Sequence, residues 1–258
     1  MKNLLITAVI ATMVFGCKDK KENAADEAGS ETTTEATMAE TKEEWIPLFD
    51  GTSMDQWQAY MGGPAAPYWQ IEGDAMVFNP PAPELRKRAD GSGNDTYNIV
   101  TKRDFTDFVL TMDWKISEAG NGGIFWGIHE DEKFREPYHS AMEIQILDNE
   151  RHPDGKNGTT HQAGALYDLV APSSDVTKPV GEWNTFVITI DHNSNRGSVV
   201  LNDVEVATFP VGGEELDALL KGSKFDGWEG FASYKTGKIG IQDHGNKVSF
   251  RNIMIKEL

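Results

Sequence analysis

One cysteine, Cys17, is all that the 258 residues contain, so no disulfide can staple the chain and the fold must hold by packing alone. Long apolar runs are missing too. The longest, within residues 4–15, falls well short of the roughly 20 residues that cross a bilayer as a helix. Helical periodicity is almost absent: only residues 214–221, with Leu216, Leu219 and Leu220 at helical spacing, read as a helix. Positive charge is scarce. With 24 Lys and Arg against 41 Asp and Glu the net charge is −17, which repels nucleic acid and other polyanions. The one basic cluster, Arg86-Lys87-Arg88, lies in a proline-rich loop without interleaved aromatic residues. Neither His-x-His nor His-Glu-x-x-His occurs, which argues against a tight zinc site. No cofactor is indicated, although acidic loops with backbone carbonyls would suit a divalent cation such as calcium.

What is present begins with a short basic start, Met1-Lys2-Asn3, then the apolar stretch and Val14-Phe15-Gly16-Cys17. This resembles a bacterial lipoprotein signal, with residues 1–16 cleaved and Cys17 as the lipid attachment point. Residues 18–42 are rich in Lys, Glu, Asp, Ala and Thr and hold no aromatic side chain, so they cannot bury enough apolar surface to offset ordering and read as a disordered tether. The expected location is the cell envelope, periplasmic or at the outer-membrane face, with the membrane reached through the lipid anchor only. Residues 43–258 then form one large domain, with no internal repeat and no second linker.

Within that domain the dominant period is two. Phe108, Leu110, Met112, Trp114 and Ile116 alternate with Val109, Thr111, Asp113 and Lys115, and Phe186, Ile188 and Ile190 repeat the pattern. Gly73-Asp74 and Asn202-Asp203 each separate two such runs by two residues, the signature of tight hairpins, and residues 192–197 make a longer turn. Further strands are expected at residues 97–101, 122–128, 164–168, 238–242 and 247–256, the last with a bulge at Arg251-Asn252 where its parity shifts. With no helical crossovers between strands, the fold class is all-β: an antiparallel two-sheet β-sandwich or jelly roll with one short helix.

The polar residues of Met142-Glu143-Ile144-Gln145-Ile146-Leu147-Asp148 stand out. Glu143 and Gln145 share one face of a strand whose other face is Ile144 and Ile146. A bulge between Gln145 and Asp148 would bring Asp148 beside Glu143, giving two carboxylates for acid and base work. A polar-faced outer strand gives the same pattern. His129 follows the 122–128 strand and suits proton transfer near neutral pH. Trp126, in that strand, and Tyr167, after Gly164-Ala165-Leu166, are candidates for stacking on a sugar face, whereas Trp57 and Trp114 read as core.

Trp45-Ile-Pro-Leu-Phe-Asp-Gly-Thr-Ser, Asp107-Phe108 to Trp114, Gly120-Asn121-Gly-Gly-Ile124, Glu143-Ile-Gln-Ile-Leu-Asp148, Gly164-Ala-Leu-Tyr167, Glu182-Trp-Asn184, Gly240-Ile-Gln-Asp-His244 and Phe250-Arg-Asn-Ile253 follow in an order that resembles the 3-keto-disaccharide hydrolase domain family. That resemblance implies a concanavalin A-like lectin and glucanase fold and an oligosaccharide or glycoside substrate whose C3 is a ketone. It also marks Asn121 and His244 as site residues, with Lys102 or Arg103 as further donors. One departure is Asn121-Gly122-Gly123, where the family usually reads Asn-Ser-Gly. A 3-keto group acidifies the C2 proton, so a base can remove it, the C1 substituent can leave and water can add, with Glu143, Asp148 and His129 as candidate catalytic groups. Two alternatives stay open. Glu-x-Gln-x-x-Asp is also similar in layout to the Glu-x-Asp-x-x-Glu strand of laminarinase-type glucanases, which implies ordinary two-carboxylate hydrolysis; and the fold also hosts lectins, so a non-catalytic carbohydrate-binding lipoprotein fits as well.

Overall fold

The computed structural model describes residues 44–65, 67–88 and 95–258. The expected lipoprotein signal, Cys17 and the expected tether lie outside the described residues. In chain order the strands are β1 (Ile46–Phe49), β2 (Trp57–Ala59), β3 (Trp69–Glu72), β4 (Ala75–Phe78), β5 (Ile99–Thr101), β6 (Phe108–Ile116), β7 (Asn121–Ile128), β8 (Met142–Leu147), β9 (Asn184–Asp191), β10 (Arg196–Leu201), β11 (Val204–Phe209), β12 (Lys238–Ile241) and β13 (Val248–Glu257). Among the described residues one α-helix, α1 (Gly213–Leu220), follows β11.

All pairings are antiparallel. One sheet has the order β11-β10-β9-β6-β13-β4-β3, with β1 also on β13; the other is β2-β5-β12-β7-β8. Strict alternation in β6 buries Phe108, Leu110, Met112, Trp114 and Ile116 on the inner face and leaves the intervening residues half-exposed. Inner residues of the second sheet, Ile124, Trp126, Ile144 and Ile146, join the same core. Each such side chain contributes about 1.5–3 kcal/mol on burial, which is how the domain holds without a disulfide.

The expected turns form. Asn202 and Asp203 both take positive φ (48° and 67°), as the β10–β11 hairpin requires and as Asn and Asp tolerate. The β13 bulge is present as a register shift between Arg251 and Met254 with Asn252 at φ 53°. Two expectations are corrected. β8 pairs with β7 in unbroken register, so there is no bulge after Gln145; the irregularity of that region sits at Gly127 (φ 69°), where β7 shifts register against β12. Residues 164–168 form bridges rather than a strand: Gly164 N–H bonds Gln145 O (2.9 Å), Gln145 N–H bonds Ala165 O (3.1 Å) and Tyr167 N–H bonds Glu143 O (3.0 Å), before the chain turns at Asp168 (φ 62°). Those bonds dock Tyr167 beside Glu143.

Candidate active site

β8 sends Ile144 and Ile146 into the core and so must present Glu143 and Gln145 on the outer face of its sheet. On the neighbouring strand Gly123 lies opposite Gln145 and, having no side chain, leaves the space that the Glu143 carboxyl fills. Asn121 Oδ1 accepts from Gln145 Nε2 (3.2 Å). Gln242, just after β12, donates its N–H to Gly123 O (2.9 Å), and its side chain bonds the Glu143 carboxyl. Gln242 Oε1 is buried without a partner and stands in the pocket wall as an unmatched acceptor. The cavity measures about 310 Å³. Loop residues Lys224, Phe225, Trp228 and Phe231 close its far side.

Burial pushes the Glu143 carboxyl up to about 8; the nearby Lys224 ammonium opposes this rise and the Asp154 carboxylate reinforces it. A carboxylate with that affinity for protons is a competent base near neutral pH. Tyr167 lies across the pocket with its hydroxyl donating to Asp154 Oδ2 (3.0 Å) and Lys224 Nζ 3.9 Å from its ring centroid. Burial, then the bond to Asp154, raises the Tyr167 phenol, so it stays protonated and able to donate. Burial works against ionisation of Asp154, but bonds from Asn157, Tyr167 and His161 outweigh it and hold the carboxyl below its ordinary range. His161 spans two carboxylates, with Nδ1 at 2.9 Å from Asp154 and Nε2 at 2.9 Å from Asp168. Burial, followed by the proximity of His152 at 5.8 Å between ring centres, lowers His244 and favours its neutral form.

Of the residues singled out from sequence, Glu143, Gln145, Asn121, Tyr167 and His244 line this one pocket. Four do not. Asp148, without the expected bulge, turns away and accepts N–H bonds from Ala119 (2.8 Å) and Arg151 (3.2 Å), pinning two loops. Trp126 points between the sheets and stacks on Phe209 (5.8 Å), because strand parity puts it with Ile124 in the core. His129, beyond the Gly127 irregularity, stacks on Tyr234 (4.1 Å) outside the pocket. Lys102 is exposed, and its carbonyl accepts from Lys238 Nζ (3.1 Å). The sequence reading missed Lys224, Gln242, Asp154, His161 and Trp228. One signal was there to find: Phe225, Trp228 and Phe231 recur every three residues in a glycine-rich stretch that no strand pattern explains. Among the described residues no group of three or more His, Cys, Asp or Glu is placed to hold a metal ion.

A two-sheet sandwich whose outer face carries a half-buried carboxylate, convergent amides and an aromatic wall has the features of a carbohydrate-active enzyme. Residues 44–256 match the model of the 3-keto-alpha-glucoside-1,2-lyase-like domain, and the chain belongs to that family. It is 34% identical over 237 residues to a 3-keto-disaccharide hydrolase of Bacteroides thetaiotaomicron, covering 83% of this chain and 78% of the relative. Two crystal structures from Parabacteroides distasonis, each described as a candidate glycosyl hydrolase, share the fold. One has 26% identity and a TM-score of 0.72, covering 83% of this chain and 94% of the other. The second has 25% identity and a TM-score of 0.56, covering 83% and 84%.

Proposed function

We propose that the protein cleaves 3-keto-glycosides by β-elimination followed by hydration. Glu143 removes the proton from C2, the electron pair forms the C1=C2 double bond, and the C1–O bond breaks as the leaving alcohol takes a proton. Water then adds across the double bond, hydroxyl to C1 and proton to C2, giving the free 3-keto-sugar. Lys224 and Tyr167 both face the pocket: Lys224 supplies positive charge for the enolate, and the Tyr167 hydroxyl, turning from Asp154 to the substrate, supplies the O–H that the leaving oxygen needs. Gln145, Asn121 and the free Gln242 Oε1 would engage sugar hydroxyls. The observation that carries this reading is Glu143 itself: one carboxylate in the pocket lining, pushed up to about 8, with no second carboxylate among the described residues that line the cavity. Two-carboxylate hydrolysis would need Asp148 there, and Asp148 is tied to loop amides.

The test is turnover of a methyl 3-keto-glucoside against the unoxidised glucoside, followed by enone absorbance and release of methanol. Activity on the keto-sugar alone is expected; equal activity on both overturns the reading. For location, we propose a lipid-anchored envelope enzyme modified at Cys17, motivated by the apolar start and Gly16-Cys17. Mass spectrometry of detergent-extracted protein should find acyl chains on Cys17, and an unacylated mature N-terminus elsewhere would refute it.

A further inference from the structure

Building on that reading, we propose that the pocket continues into a second subsite that binds the leaving group as a sugar ring, on an aromatic strip made of Tyr138, His139 and Trp228. The cavity around Glu143, about 310 Å³, stands at the low end of the roughly 300–1,000 Å³ of ligand pockets, so it suits one ring rather than two. Trp228 belongs to the wall of this cavity and also to a neighbouring hollow of about 170 Å³ lined by Lys133, Phe134, His139 and Glu229. One indole thus borders both spaces.

Exposure separates these rings from ordinary wall residues. Tyr138 is 37% and Trp228 39% exposed, and among the described residues they are the exposed large apolar side chains that line the cavity. The strip is continuous, with Tyr138 4.6 Å from His139 and His139 5.8 Å from Trp228 between ring centres. It is also fixed at both ends. Trp228 stands edge-on to Phe225 (5.4 Å) and Phe231 (6.1 Å), which stack on each other at 4.0 Å. Tyr138 and His139 sit on the 3-10 turn Pro137–His139, capped by a bond from Glu136 N–H to His139 Nδ1 (3.1 Å). The buried Glu136 carboxylate is in turn held by Arg88 (2.9 Å), Thr96 (2.6 Å) and Asn98 (3.0 Å). Rigid rings cost little ordering when a ligand settles on them. A pyranose matches such a strip, since its C–H face covers an aromatic face while its hydroxyls reach outward to the Lys133 and Glu229 pair at the rim (3.2 Å apart).

The test compares equilibrium binding of two probes, a 3-keto-disaccharide with a glucose leaving group and methyl 3-keto-glucoside, to the full chain carrying Glu143→Gln so that neither is consumed. Trp228→Ala and Trp228→Phe are then added to that background. The expected result is tighter binding of the two-ring probe, with the preference falling about tenfold in Trp228→Ala, the scale of an aromatic hot-spot truncation, and largely kept in Trp228→Phe, which packs on Phe225 and Phe231 and still offers a ring. Equal binding of both probes, or a preference that Trp228→Ala leaves intact, overturns the subsite. Turnover of methyl 3-keto-glucoside by the unaltered protein is a separate control: its absence removes the proposed chemistry, while the binding comparison still decides the subsite.

Discussion

Gly123 and Glu143 share one volume: a Cβ built on Gly123 would fall on Glu143 Oε1. The glycine is thus part of the site without touching substrate, because any side chain there pushes the carboxylate off its position. Gly123→Ala should fold, since its backbone is not in the left-handed region, yet lose about 10²-fold in turnover, as a displacement near 1 Å can cost that much. Turnover and melting temperature measured together check this. Unchanged turnover would mean that the Glu143 position is not critical.

The raised Glu143 carboxyl fixes two pH dependences. As a base it works deprotonated, so kcat/KM should climb with pH up to a bend near 8. Its protonated form is favoured by folding, so stability from this group is fully present below about pH 4.5 and is lost as pH rises through the folded value. Glu143→Gln should therefore abolish turnover, by about 10²-fold or more, and raise stability at pH 9 by on the order of a few kcal/mol, a gain that fades below pH 5. A pH-independent stability difference would contradict the assignment.

Tyr167→Phe keeps the ring under Lys224 but removes the hydroxyl that bonds Asp154. A loss of about 10²-fold in turnover is expected for a proton donor, larger for poor leaving groups than for good ones. An equal loss for both would point to a packing role.

Arg86 and Asp243 form a buried bidentate pair (3.0 and 2.7 Å), and Asp243 also accepts the N–H groups of Tyr97 (2.9 Å) and Gly245 (2.7 Å). That pair holds the turn carrying Gln242 and His244. Arg86→Met should cost about 3–5 kcal/mol, because it leaves a buried charge unpaired. Chemical denaturation measures it directly.

Asp148→Asn separates the two mechanisms that the sequence left open. If Asp148 only pins Ala119 and Arg151, the change should cost about 1–3 kcal/mol of stability with turnover close to that of the unaltered protein. A collapse of turnover with stability kept would restore the two-carboxylate reading.

The sandwich was legible because alternation in β6 and β9 and the turn pairs Gly73-Asp74 and Asn202-Asp203 are local signals. Glu143 and Gln145 were legible for the same reason, as polar residues on one face of an apolar strand. Asp148 misled because residues 142–148 carry no parity shift of the kind that located the β13 bulge; register there depends on the partner, and β7 put its irregularity at Gly127 instead. Trp126 shows the limit of composition: parity already placed it with Ile124, and the glycines flanking it reflect close backbone contacts such as Gly127 against Tyr234 O. Lys224, Asp154 and Gln242 reach the site from loops and a strand end far away in sequence, and no periodicity reports such a meeting.

The most direct test follows the C2 hydrogen. Methyl 3-keto-glucoside carrying deuterium at C2 is turned over in ordinary water, and the product is read by NMR against the slow exchange of free 3-keto-glucose. The proposed route predicts complete loss of the label with each turnover, slowed turnover relative to the unlabelled sugar, and neither cleavage nor exchange with Glu143→Gln. Product that keeps deuterium at C2, or exchange that persists undiminished in Glu143→Gln, would contradict it.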